Sequence, residues 1–233
     1  MEYQTTINAL IVSAIAAGVY HTLIGPDHYL PFVALGKARG WSYSKTVLAT
    51  SLCGVGHVAS SVVIGLAGIA IGSAVGVLEA LEGARADIVK WLLLLFAVAY
   101  TAYGIRRALC PPVHKHADGT VHSHCDDESG HSHSVKISNS STFWVVFIIF
   151  AFGPCEILIP HVMYPASQFD WAGVVYVSLA FSIATISTMI FMVTFCFFGL
   201  RFVPIDFAKF ARWNHAISGV VISMCAGLMF AGL

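Results

Sequence analysis

The feature that most constrains this chain is a series of apolar runs long enough to cross a bilayer, where about 20 residues suffice. Six spans fit the 233 residues, at about 7–35, 46–78, 88–109, 142–165, 172–200 and 213–233. Hydrophobic residues make up 58% and charged residues 10%, against about a quarter charged in soluble domains. The expected fold is therefore all-α, a polytopic membrane protein in contact with the lipid bilayer. The first, second and fifth runs exceed a simple crossing, so tilt, breaks or extensions are expected there. The N-terminus (MEYQTTINAL) has no basic region and no A-x-A site closes the first run, so it reads as a retained helix. Zero formal net charge excludes a broadly basic, nucleic-acid-binding surface.

Positive charge orients the spans. Ten of the twelve basic residues fall on one side, in the loops around Lys37–Lys45, Arg106–Lys136 and Arg201–Arg212; only Arg85 and Lys90 fall on the other. The rich side reads as cytoplasmic, in the cell membrane, with both termini outside. The chain also reads as built twice. Gly25-Pro26 in the first span recurs as Gly153-Pro154 in the fourth, 128 residues later, and the same offset carries the second and third spans onto the fifth and sixth. Three spans per half implies opposite topologies: a first three-helix repeat over 1–110, a histidine-rich cytoplasmic loop over 111–140, and a second repeat over 141–233. Inverted repeats whose Gly/Pro-broken helices meet near the midplane are typical of secondary transporters.

The stretch HTLIGPDHYLP, residues 21–31, puts His21, Asp27 and His28 beside a break in an apolar helix. Charge at such depth costs about 2.5–3.5 kcal/mol on insertion scales, so it signals function. The fourth span carries Cys155 and Glu156, then Pro160 and His161. The second adds Cys53 and His57 in CGVGH, and the offset pairs His57 with Thr185. Imidazole and carboxylate together suit nickel, cobalt, zinc or manganese. The expected metal site comprises Asp27, His28, His57 and Glu156 with His21 peripheral; Cys53, Cys155, His161 and Thr185 are secondary candidates, the two cysteines weighing more toward packing than ligation.

Residues 111–136, PPVHKHADGTVHSHCDDESGHSHSVK, hold three H-x-H pairs: His114 and His116, His122 and His124, His131 and His133, with Cys125 between. Low hydrophobicity implies disorder without a ligand, and neutral imidazoles are the commonest nitrogen ligands of transition metals.

At these residues the sequence resembles the nickel/cobalt transporter superfamily, above all its six-span, histidine-loop efflux members and the urease-accessory-type transmembrane proteins within the LysE-type exporter group. His21 with Asp27-His28 is similar to that family's early-helix motif, with five intervening residues where the family typically has four. CGVGH, GPCEILIP and HKHADGTVHSH resemble its second-helix, second-half and loop motifs. The resemblance implies export of divalent nickel or cobalt as substrate, with zinc or manganese as alternatives. It carries no permanently bound cofactor and no enzymatic activity. A cytoplasmic metallochaperone and a homo-oligomer are further partners to expect. Absence of G-x-x-x-x-G-K-[ST] favours proton coupling over ATP. Three other readings stay open: a metal importer of the same family, a non-transporting metal sensor or scaffold, and a membrane thiol–disulfide carrier like those of cytochrome c biogenesis. The last is also an inverted three-plus-three protein, with cysteines next to prolines as at Pro154-Cys155. Its relay uses a second cysteine at the equivalent break, where this chain has Asp27.

Overall fold

In this computed structural model, residues 2–71, 75–109, 114–115, 121–122, 139–153, 155, 157–200 and 210–232 are described. They form eight helices: α1 (Glu2–Ile24), α2 (Leu30–Arg39), α3 (Tyr43–Ala70), α4 (Val75–Leu109), α5 (Asn139–Ala151), α6 (Leu158–Ser167), α7 (Trp171–Gly199) and α8 (Asn214–Phe230). Short 3-10 turns cover Pro26–His28 and Ala211–Trp213. Among the described residues, strands occur only as an antiparallel pairing of His114–Lys115 with Val121–His122, inside the histidine loop.

Among the described residues, five helices are long and apolar enough to cross a membrane: Tyr3–Ile24, Tyr43–Gly68, Gly76–Leu109, Trp171–Gly199 and Ala211–Phe230. Their outward faces carry large bare side chains such as Val12, Leu95, Ile183 and Phe191. Such a surface suits lipid, where the helix backbone satisfies its own polar groups. The chain is an integral membrane protein. The expected fourth span, 142–165, is not one helix. α5 ends at Ala151 and α6 begins at Leu158, so neither piece has spanning length. The expected first span is likewise divided between α1 and α2, and α2 runs on to Arg39 before Gly40 stops it at φ 62°. Glycine takes that left-handed position without the Cβ penalty.

α4 starts at Val75, well ahead of the expected 88, because the polar segment EALEGARADIVK continues the helix instead of forming a loop. α4 packs along α8 and α1 along α7. Glycines permit the close approach: a Cβ on Gly104 would strike the backbone at His215 and Ala216, and one on Gly219 would strike Thr101. Small residues at such crossings are how membrane helices gain packing without a hydrophobic driving force. The buried hydroxyls of Thr22 and Thr50 are satisfied within their own helices, on Gly18 O at 2.8 Å and Thr46 O at 2.9 Å.

Candidate functional site

The first break is built by Gly25 and Pro26. α1 closes with Gly25 N–H donating to His21 O at 3.0 Å, and the turn continues with His28 N–H donating to Gly25 O at 3.1 Å. Proline lacks the N–H that would extend the helix. The turn swings His28 inward, where it is buried. Its Nδ1 lies 3.1 Å from both Gly25 O and Asp27 Oδ1. Both are acceptors, so Nδ1 carries the hydrogen, and in the neutral ring Nε2 presents a lone pair.

The second break lies between α5 and α6, at Gly153 and Cys155. His57 of α3 reaches it, with Nδ1 3.2 Å from Phe150 O, which again assigns the hydrogen to Nδ1 and the lone pair to Nε2. α4 supplies the support. Glu82, fully buried, accepts the Cys155 backbone N–H at 3.0 Å and the Ser61 hydroxyl at 3.1 Å. Arg85 pairs with Glu82, and donates to Ser60 Oγ at 2.9 Å and to Gly153 O at 3.3 Å. Sequence reasoning missed both residues and counted Arg85 as a loop charge. The available signal was their i, i+3 spacing, opposite in sign, on a helix adjoining an apolar run.

The two breaks converge. The His28 ring centroid lies 4.5 Å from that of His21 and 5.3 Å from that of His57, and His21 and His57 stack at 6.5 Å. The Nε2 atoms of all three are buried and have no hydrogen-bond partner among the described residues. A cavity of about 440 Å³ opens against them, lined also by Asp27, Gly153 and Ile157. One ligand atom from each of His21, His57 and Cys155 lies within 4.8 Å of the others. His21 is thus central, not peripheral: the 3-10 turn folds His28 back beside it instead of leaving it two turns away on a straight helix. Cys155 belongs to the cluster and is also fully buried in an apolar core with Val58, Leu158 and Phe181, so the packing expected of it is present as well.

The other candidates disperse. Cys53 is fully buried in the apolar core with Leu93, Met189 and Ile222. His161 turns its Nδ1 back onto Ile157 O at 2.8 Å within α6. Thr185 is buried where α7 meets Gly18 of α1, and its hydroxyl has no partner among the described residues. Glu156 lies outside the described residues, as do His116, His124, Cys125, His131 and His133 of the loop. His114 and His122 are backbone partners in the short pairing.

Over residues 30–229 the chain matches the family described as cytochrome C biogenesis protein transmembrane region, and it belongs to that family. No curated protein and no solved structure shows significant similarity to it. The match overturns the resemblance to nickel/cobalt transporters, and with it the expected function as a secondary transporter exporting nickel or cobalt. That resemblance rested on some forty residues around polar helix breaks, which any inward-facing broken helix can display. His57 and Cys155 fall inside the matched segment; His21, Asp27 and His28 precede it.

Proposed function

We propose that this member of the cytochrome c biogenesis transmembrane family is a membrane thiol–disulfide carrier, with Cys155 as its exchanging thiol. The observation that carries the reading is the position of that thiol: inside the matched segment, at a helix break, with imidazole nitrogens of His21 and His57 within 4.8 Å. A thiolate is the nucleophile in disulfide exchange, and a neighbouring imidazole can accept the thiol proton. The Cys155 thiolate attacks a disulfide of a partner, forming a mixed disulfide and releasing one partner thiolate. One thiolate of a second, dithiol partner then attacks the Cys155 sulfur, releasing the first partner fully reduced. The second partner's other thiolate attacks the new mixed disulfide, regenerating Cys155 and leaving that partner as a disulfide. Asp27 occupies the first break, so the exchange runs through one cysteine of this chain and the thiols of its partners. The cavity reaches His57 and Gly153 next to Cys155, whose side chain is itself fully buried, so a partner must enter there for exchange.

The same proposal includes a topology. α5 and α6 together make the sixth crossing, broken as α1 and α2 are. The reciprocal packing supports this: α1 lies on α7 as α5 lies on α3, and α2 meets α8 as α6 meets α4. Both termini then lie outside the cytoplasm. Arg85, an exception to the charge rule, is paired with Glu82 inside the protein and carries no topological signal.

The test is exchange across a membrane. Protein in vesicles, with dithiothreitol inside and a disulfide-linked fluorogenic peptide outside, should reduce the peptide and yield a trapped mixed disulfide at Cys155 on acid quenching. Cys155→Ser should abolish both. Peptide reduction by Cys155→Ser at the parent rate overturns the reading.

A further inference from the structure

The imidazole atoms around Cys155 are arranged for something a thiol base alone does not need. One imidazole suffices to take a proton, yet three line one cavity, and the Nε2 of each is buried without a partner among the described residues. A buried polar atom left unpaired costs about 1–3 kcal/mol, so three together point to a ligand. The orientation is enforced. His28 Nδ1 is fixed by Gly25 O and Asp27 Oδ1, and His57 Nδ1 by Phe150 O. Backbone carbonyls and carboxylates holding the far nitrogen are how proteins orient histidines that ligate metals. A hydrogen-bonding ligand would meet only acceptors at those two Nε2 atoms; a cation meets lone pairs.

We propose that His21, His57 and Cys155 form a binding site for a single zinc or cuprous ion, with the His28 ring packed beside it. Two imidazoles and a thiolate are borderline-to-soft ligands and favour these ions over magnesium, calcium or manganese. Donor atoms within 4.8 Å of one another can contract onto one ion at ligand distances of about 2.0–2.3 Å by small side-chain rotations into the cavity. The ion displaces the thiol proton, so binding is competitive with exchange. This last consequence rests on the carrier reading; the site itself does not.

The experiment uses the full chain in detergent, carrying Cys125→Ser and glutamine in place of histidine at 114, 116, 122, 124, 131 and 133, so that the loop supplies no ligand. Zinc is added at one equivalent, and binding is followed by chelator competition and X-ray absorption at the zinc edge. One ion should bind, with one sulfur scatterer at about 2.3 Å and nitrogens at about 2.0–2.1 Å. Cys155→Ser should lose the sulfur scatterer, and His57→Gln should lose a nitrogen and weaken binding; His21→Gln gives an independent arm where one variant is not recovered folded. A sulfur scatterer that survives Cys155→Ser, or affinity unchanged in all three variants, overturns the site. Zinc should also stop peptide reduction in vesicles. Sulfur-ligated zinc in a protein that exchanges no disulfide when metal-free leaves the site standing and removes the carrier function.

Discussion

The carboxylate of Glu82 accepts the backbone N–H of Cys155 at 3.0 Å, joining residues 73 apart in sequence. Through Arg85 the same carboxylate is tied to Ser60 of α3 and to Gly153 O. The second break is thus held by a charged pair on a third helix, while the first is held by its own Asp27 and His28. The two breaks have unequal support. The thiol sits at the one braced from outside.

Removing one member of a buried pair strands the other, at a cost of about 3–5 kcal/mol, whereas replacing both by apolar residues is often close to neutral. Glu82→Ala should therefore lower the melting temperature in detergent markedly. The double variant Glu82→Leu/Arg85→Met should recover most of that loss without restoring the acceptor for Cys155 N–H. Alkylation of Cys155 by a small maleimide should then be faster in both than in the parent. Equal melting temperatures for parent and Glu82→Ala would show that the pair contributes nothing.

Contact between α4 and α8 depends on the missing side chain of Gly104. Gly104→Ala drives a methyl into the α8 backbone at Ala216 and should cost about 1–3 kcal/mol, the usual range for overpacking. Gly227 on α8 has open space around its Cβ position, so Gly227→Ala should be neutral or stabilising through helix propensity alone. Thermal unfolding of the two variants side by side in the same detergent checks the contrast. Equal destabilisation would mean that the backbones do not touch.

The N-terminus is pinned to the loop before α7. Tyr3 OH donates to Asp170 Oδ2 at 2.7 Å, and Gly173 N–H donates to Asp170 Oδ1 at 3.0 Å. The Tyr3 hydroxyl first, and then the Gly173 amide, hold the Asp170 carboxyl below its ordinary 3.8. Because the folded value is depressed, the stabilisation is present above about pH 4 and is lost as pH falls through the lower folded value. Tyr3→Phe should return the carboxyl toward 3.8 while Gly173 keeps part of the shift, as read by carbon-13 NMR titration of labelled aspartate. An unchanged titration in Tyr3→Phe contradicts the tether.

The membrane class, the first break and the cluster of His21, Asp27, His28 and His57 were legible because each leaves a local trace: apolar length, a Gly-Pro pair, and polar residues where polarity is costly. Chemical identity was not. The same imidazoles read as a transporter motif or as the surroundings of a thiol, and the match over 30–229 removed the first. Glu82 and Arg85 escaped notice because their meaning lies in contacts to residues 60, 61, 153 and 155, at separations that no helical period encodes. His21 was misjudged for a related reason. A straight-helix projection does not apply across a 3-10 turn, which brings His28 to 4.5 Å from it.

The two break glycines offer the sharpest local test. A Cβ at Gly153 would stand 2.6 Å from His57 Nδ1 and 2.9 Å from Phe150 O, in the way of the hydrogen bond that orients the ring. One at Gly25 would stand 2.7 Å from His28 Nδ1 and 2.8 Å from Asp27 Oδ1. Side chains close-packed at this density cannot absorb such overlaps without turning the ring. Gly153→Ala should therefore rotate His57, remove its Nε2 from the cavity, and weaken both zinc binding and peptide reduction. Gly25→Ala should disturb the His28–Asp27 pair and affect zinc less, because His21, His57 and Cys155 keep their places. Nitrogen-15 NMR of histidine-labelled protein should show the Nδ1–H signal of His57 lost in the first variant only, and that of His28 in the second only. Loss of both signals in either variant would mean that the two breaks share one support, and that the independent bracing by Glu82 and Asp27 is wrong.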